Sequence, residues 1–234
     1  MIRRRLLPLL ASGLASFAGL AGSAAADTRL AFVTVTPDGV AAPSSMVVSD
    51  GWLRIDDDGP SGYVLFDRAT RTIYSVNLDG GQIIVIPPAV SRAESPLELR
   101  FAEHTVDSDG APEIGGVKPV HLAFAVNERV CYQAVVVPGL LEDARRAESE
   151  YLAALAAEQR GHVAKLPVER LDGCDLGRHV FAADRHLRQG YPILILEPDG
   201  SRRELVDYRS DLPAEPGRFE LPAGLERIDM GLAR

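Results

Sequence analysis

The 234-residue chain sets 25 Lys and Arg against 33 Asp and Glu, a net charge of −8, and is 46% hydrophobic. That balance argues against nucleic acid and against anionic membrane surfaces as partners, since both attract basic patches. The two cysteines form no C-x-x-C pair, which argues against a thiol-redox enzyme.

The first 26 residues read as a secretory signal peptide. Arg3, Arg4 and Arg5 precede an uncharged apolar run from Leu6 to Gly22, and Ala24, Ala25 and Ala26 offer small residues for cleavage before Asp27. The run is about 17 residues, rich in Ala and Gly and interrupted by Pro8, against the ~20 strongly apolar residues of a stable span. An uncleaved anchor is the rival reading; cleavage predicts a mature chain with no stable membrane insertion. The stretch holds no cysteine for lipid attachment. Arg3 and Arg4 faintly resemble a twin-arginine signal, but nothing later calls for folded export. Removing Arg3, Arg4 and Arg5 leaves 22 basic and 33 acidic residues, a net −11 over residues 27–234, long enough for one sizeable core. The expected location is the periplasm.

Residues 30–35 make a first strand, stopped by Pro37, Asp38 and Gly39. A β-meander follows over residues 46–88, where β-branched and aromatic runs at 46–48, 52–55, 63–66, 72–76 and 82–86 are separated by Asp-Gly, Ser-Gly and Gly-Gly turns. Runs 63–66 (YVLF) and 83–86 (IIVI) are apolar on both faces instead of alternating. Something must therefore cover the second face too, which hints at a curved sheet around a filling. Residues 97–106 alternate, 107–116 read as a loop, and 116–126 and 130–137 return as strands. The period then changes. Residues 138–160 place Leu140, Leu141, Ala144, Ala147, Tyr151, Ala154 and Leu155 on a helical stripe. Pro138 opens that helix and Gly161 is expected just past its end. Glu142 and Asp143 suit the N-terminal dipole, and Arg146 is within i±4 reach of Glu142 and Glu150. The tail is a hairpin at 193–208, turning at Asp199 and Gly200, and a last extended piece at 225–229.

An even pair of cysteines in an exported chain suggests a disulfide between Cys131 and Cys174; two free thiols are the alternative. Closing that loop of about 43 residues stabilises the fold by roughly 4 kcal/mol in the chain-entropy model. The bridge would tie the helical insertion back to the strand that carries Cys131.

Four stretches together, WLRID at 52–56, residues 63–77, GYPI at 190–193 with the Asp199 and Gly200 hairpin, and FELPAG at 219–224, resemble the LolA/LolB-like lipoprotein-carrier superfamily, nearest to its uncharacterised periplasmic members. The resemblance covers most of residues 27–234. It implies a mainly β (α+β) fold: a curved antiparallel sheet forming an incomplete barrel, with helices closing an apolar cavity that holds acyl chains. It also implies a strand arginine latching those helices, and Arg54 is the position that would match. Few aromatics are available to line such a cavity, and the cysteine pair departs from the carriers.

No Gly-x-Ser-x-Gly elbow, phosphate loop, His-Glu-x-x-His or dinucleotide fingerprint occurs, so neither a catalytic residue nor a cofactor is expected. His104 and His121 fall on neighbouring predicted strands, but two ligands make no zinc site without a third. His179 and His186, spaced by seven with Asp175 and Asp184 nearby, form the other polar candidate. Asp107, Ser108, Asp109 and Gly110 begin like a calcium loop that lacks its later acid. Asp56, Asp57 and Asp58, and likewise Asp67 and Asp79, read as turn carboxylates. Two functions remain. One is a non-enzymatic periplasmic protein binding a lipid or acyl chain in a half-barrel cavity. The other is an envelope protein–protein interaction module whose barrel is filled and purely structural.

Overall fold

The computed structural model describes residues 26–57, 59–91, 93–106, 110 and 112–231. The signal segment before Ala26, Asp58, and the 107–109 start of the calcium-like loop lie outside the described residues.

Among the described residues, twelve strands share one sheet: β1 (Ala26–Val35), β2 (Ala41–Val48), β3 (Trp52–Asp57), β4 (Gly62–Asp67), β5 (Thr72–Asn77), β6 (Gln82–Ile86), β7 (Phe101–Val106), β8 (Val120–Val126), β9 (Arg129–Val137), β10 (Tyr191–Leu196), β11 (Arg202–Pro213) and β12 (Glu226–Asp229). Their order is β12-β6-β5-β4-β3-β2-β1-β11-β10-β9-β8-β7. Neighbours are antiparallel except β12, which runs parallel to β6. The meander over β2–β6 forms because its turns satisfy themselves. Asp67 Oδ1 accepts the Ala69 and Thr70 N–H groups. At the next turn Asn77, not Asp79, does this work by accepting from Gly80 N–H. Gly190 has to be glycine: its φ is +149° and a Cβ there would lie 2.6 Å from the Val137 carbonyl oxygen.

Helix α1 (Glu142–Val163) packs on one face of the sheet. It begins one turn later than Pro138, after Leu141 in the left-handed region, and runs through Gly161 to Val163. Its first-turn pair is Arg145 with Glu142, at 2.7 Å, instead of Arg146. Glu150 reaches across to Arg68 of the β4–β5 turn at 2.7 Å. Leu30, Phe32, Met46, Val48, Leu53, Phe66 and Ile73 of the sheet close on Leu141, Ala144, Ala147 and Ala154. The alanines let the helix approach closely, and Tyr151 meets Phe66 edge-on at 5.8 Å.

The opposite face explains the doubly apolar strands. Val47, Leu65, Val76 and Ile83 point away from α1 by strand alternation, yet each is 4% exposed or less. Residues 214–225 connect β11 to β12 and so must pass the whole β1–β6 stretch. They cross this outer face as a strap, held by Arg54 Nη1 donating to the Arg218 carbonyl (2.8 Å) and Tyr63 Oη to that of Glu220 (3.3 Å).

A second cover was not legible as a helix. Gly173–Asp175 runs into Leu176–Phe181, followed by a tight turn at Arg185–Arg188. It lies over β8–β10, where Leu122, Phe124, Val126, Tyr132, Ala134, Val136 and Ile195 form a second core with the two cysteines. The 97–100 stretch is not part of β7: Leu97 and Leu99 instead pack beneath this cover with Val163, Leu176 and Val180. Strands β6 and β7 lie ten places apart, about 48 Å across a flat sheet. The connection between Ile86 and Phe101 joins them, packing Leu97 and Leu99 beneath the second cover, and the sheet is open with β12 and β7 at its edges.

Candidate functional site

Between α1 and the second cover lies a recess of about 190 Å³, floored by Ile195 of β10 and Arg203 of β11. Glu148, Leu152, Leu155 and Gln159 enter it from α1, and Arg178, His179, Ala183 and His186 from the cover. Glu148 is 7% exposed. It accepts from Tyr191 Oη at 2.8 Å and lies 3.4 Å from Arg203 Nη1. The Arg203 guanidinium lies 3.7 Å from the centre of the Phe32 ring, and that of Arg178 lies 4.5 Å from the centre of Tyr132 while pairing with Glu197. His186 Nδ1 sits 3.4 Å from Tyr132 Oη. The oxygen of Gln159 is buried with no partner.

Burial holds the His186 imidazole neutral, down to about 4, reinforced by Arg178 and Arg203 and opposed by Glu148 and Asp184. Burial and then Arg178 also push His179 down. The same desolvation pushes the Tyr132 and Tyr191 phenols up, so both stay protonated donors. The recess therefore carries neutral imidazoles and phenols around the guanidinium–carboxylate pairs of Arg203 with Glu148 and Arg178 with Glu197. It is smaller than the roughly 300 Å³ at which small-molecule pockets begin, and it is charged. An acyl chain finds neither the volume nor the lining expected of a hollow half-barrel here, because α1 with its Tyr151 packs against the concave side.

The sequence singled out His179 and His186, and the structure brings them to one recess. Glu148, Gln159, Arg178 and Arg203 went unnoticed. The signal for the first two was present: they fall on the Leu141, Ala144, Leu152, Leu155 stripe, where a polar residue has to face the packed side. His104 and His121 lie on one face of adjacent strands, offset by two positions. Among the described residues, no three His, Cys, Asp or Glu side chains gather as a metal would need.

Arg54 alternates with Leu53 and Ile55 and so faces away from α1. It holds Asp56 with Nε and Nη2 (2.6–3.0 Å), stacks 3.7 Å over Tyr63 and donates to the strap. What it latches is the 214–225 crossing. Cys131 and Cys174 are bonded, with Cα atoms 5.2 Å apart. Arg129 donates to Cys174 Sγ at 3.2 Å and forks onto Asp172, whose carboxylate caps the Gly173–Asp175 turn.

The outer face carries a trough where the strap does not reach. One end, of about 540 Å³, is lined by Ile114 of the β7–β8 loop, Ile193, Leu194 and Val206, and rimmed by the Arg202–Glu204 pair. It continues past Val206 into a recess of about 310 Å³ over Arg29, Ala31 and Val33, and then toward Arg54 and Arg218 under the strap. Val206 is 55% exposed.

No protein-family model matches the sequence, and no curated protein sequence matches it. Solved structures superpose on it loosely. An uncharacterised conserved protein from Thermus thermophilus superposes with a TM-score of 0.45 at 6% identity, covering 87% of this chain and 90% of that one. PNGF-II gives 0.43 at 9%, covering 88% of this chain and 32% of its own. The Pseudomonas aeruginosa MucA/MucB complex gives 0.39 at 10%, covering 87% and 58%. This chain thus spans about a third of PNGF-II and under two thirds of the MucA/MucB chain. Likenesses at this level do not say what the chain binds. Among the described residues, no helix is long and apolar enough to cross a membrane.

Proposed function

We propose that this is an exported, non-enzymatic binding protein of the cell envelope, a LolA-like scaffold whose interior is filled and whose working surface is the outer trough. The observation that carries the reading is the reversal of where open apolar space lies. The concave side keeps only about 190 Å³, where Leu152, Leu155 and Ile195 are mixed with Glu148, Arg178 and Arg203, while about 540 Å³ lined by Ile114, Ile193, Leu194 and Val206 and rimmed by Arg202 and Glu204 opens outward. The Cys131–Cys174 bond supports an oxidising compartment. Support for a non-catalytic role comes from the recess itself: Glu148 is taken up by Tyr191 and Arg203, and His186 faces a phenol instead of a nucleophile.

The occupant that fits the trough is an extended segment of an envelope protein. An apolar side chain would fill the Val206 end, and a carboxylate would meet the guanidinium of Arg29. A photo-crosslinker at Val206, in cells exporting the protein, should trap one reproducible protein adduct that is absent with the crosslinker at Val90, itself 88% exposed. Identical adducts from both positions, or none from Val206, would defeat the proposal. The apolar volume of the trough also favours a second reading, in which a lipid or acyl chain occupies it. Saturable uptake of a fluorescent fatty acid by delipidated protein, lost in Val206→Asp, would establish that reading instead.

A further inference from the structure

The outer trough ends at the strap, and that end is charged for a single negative group. A recess of about 310 Å³ there is lined by Arg29 of β1, Ser45 of β2, Arg54 and Asp56 of β3, and Glu215 and Arg218 of the strap. The Arg54 guanidinium is taken by Asp56, and that of Arg218 by Glu215. Arg29 is the surplus: it is exposed and, among the described residues, makes no hydrogen bond or ion pair. The Ser45 hydroxyl in the same recess is likewise uncommitted among those residues. Asp27, two positions before Arg29 on the same face, is buried outside this lining, and burial outweighs Arg218 to push its carboxyl up, toward the neutral form. One unpaired guanidinium balances one monoanion, and its planar fork suits a carboxylate. A phosphate dianion would carry excess charge toward Asp56 and Glu215.

The strap decides where on a partner that carboxylate sits. Val47, also in the recess, is 4% exposed, and Arg54 Nη1 holds the Arg218 carbonyl at 2.8 Å. A segment carrying its charge on an internal side chain would have to run on and lift the strap, whereas a chain that stops there fits as the recess stands. Arg29 lies four residues along β1 from Val33, which is in register with Glu204 and through it with Leu194, two strands away. That diagonal is about 16 Å, roughly five residues of extended chain. Taking the trough as the working surface, as proposed above, we infer that it receives the free carboxyl terminus of an extended partner segment. The terminal carboxylate meets Arg29 and Ser45, and an apolar side chain about five residues before it fills the end at Ile193, Leu194 and Val206.

The test uses the mature, disulfide-bonded protein on a column and a pool of N-acetyl hexapeptides drawn from Ala, Ser, Val, Leu and Phe. The pool is made twice, ending in carboxylate and in carboxamide, and retained sequences are identified by mass spectrometry and resynthesised. By fluorescence anisotropy, each retained sequence should bind at least tenfold more tightly as the carboxylate than as the amide, as gain of a charge-assisted contact does. Arg29→Gln should close that gap, and the guanidinium has no partner whose loss would disturb the fold. Arg100→Gln, at an exposed arginine outside the trough, should leave it unchanged. A third form of each sequence, amidated but with an internal glutamate, should bind like the amide. If it binds like the free carboxylate, the trough still takes a protein segment but does not read a chain end, and the inference falls alone. A gap that survives in Arg29→Gln also overturns it. So does displacement by octanoate at the peptide's own concentration, which would mark a site for any carboxylate on an apolar tail. Retention of neither pool at about 1 mM, a concentration that detects even millimolar binding, overturns it too, while the crosslink at Val206 continues to decide the trough itself.

Discussion

The two faces of the sheet are built from the same strands and finished differently. On the concave face every strand from β1 to β5 delivers an apolar side chain to α1, and the alanine stripe of the helix closes the distance until Leu30, Leu53 and Phe66 reach 0% exposure. On the outer face the same alternation delivers Val47, Leu65, Val76 and Ile83, but a single extended strap covers them, and beyond the strap the surface at β10, β11 and β1 is left open. A helix buries a broad stripe and can be locked by i, i+4 repetition. A strap buries one strand-width and is fixed only where a side chain such as Arg54 pins it. The concave face is therefore where stability resides, and the outer face is where a surface can be offered without unfolding anything.

The comparison breaks most visibly at the disulfide. Replacing Cys131 and Cys174 by serine should lower the unfolding free energy by about 4 kcal/mol in a urea titration, the value expected for a loop of this length. The concave cover at 173–188 should lose hydrogen-exchange protection first, with the outer strap still protected. Equal loss of protection on both faces would contradict the division.

Acid sharpens it next. His186 is faced by Glu148 from α1, Arg178 and Asp184 from the cover, Tyr132 of β9 and Arg203 of β11. Its folded value of about 4 lies below the ordinary 6.5, so its neutral form is favoured in the fold. That stability is fully present above pH 6.5, falls as the unfolded chain gains its proton, and is lost by about pH 4. The shift corresponds to about 3 kcal/mol. A series of urea titrations from about pH 7.5 to 4 should show this decline in the native protein and a flatter profile in His186→Gln. An unchanged slope would mean that other groups govern the acid response.

Arg54→Ala tests the strap. Losing the Arg218 carbonyl contact and the stack on Tyr63 should cost about 1–2 kcal/mol. Limited proteolysis should then cut within 214–225 while α1 stays protected. If α1 becomes the first cleavage site, Arg54 acts on the helix after all, as the carrier resemblance implied.

These differences also mark what the sequence could and could not show. The meander was legible because each turn carries its own hydrogen-bonding residue, and α1 because its stripe repeats turn after turn. The double apolarity of YVLF correctly signalled a covered second face, but the cover itself, FELPAG within 214–225, has no periodicity to mark it as one. The 173–188 cover was missed because three short helical turns, one of them wide, give no sustained 3.6-residue repeat. With it went Arg178, whose place in the recess depends on that chain path. Arg54 was singled out only through the carrier resemblance, as a helix latch, and which face it takes depends on strand register.

The smallest effect on stability belongs to the trough, and it separates the two faces most sharply. Val206 is exposed beside the register shift where β11 leaves its regular pairing with β1, so an aspartate there meets water and strains nothing. Val206→Asp should leave the unfolding free energy within about 0.5 kcal/mol of the parent, as surface substitutions do. Yet it places a charge where an apolar side chain would dock, and desolvating that charge opposes binding. Mixed-species pull-down from envelope extracts, with the adduct captured through Val206 as the reference, should show its recovery falling tenfold or more in Val206→Asp. Arg29→Glu, which reverses the charge offered to the incoming carboxylate, should give a smaller loss that shrinks as salt is raised, because an exposed ion pair is screened within a Debye length. If both variants capture the partner as the parent does, the trough is an unused gap beside the strap, and the working surface lies on the concave face.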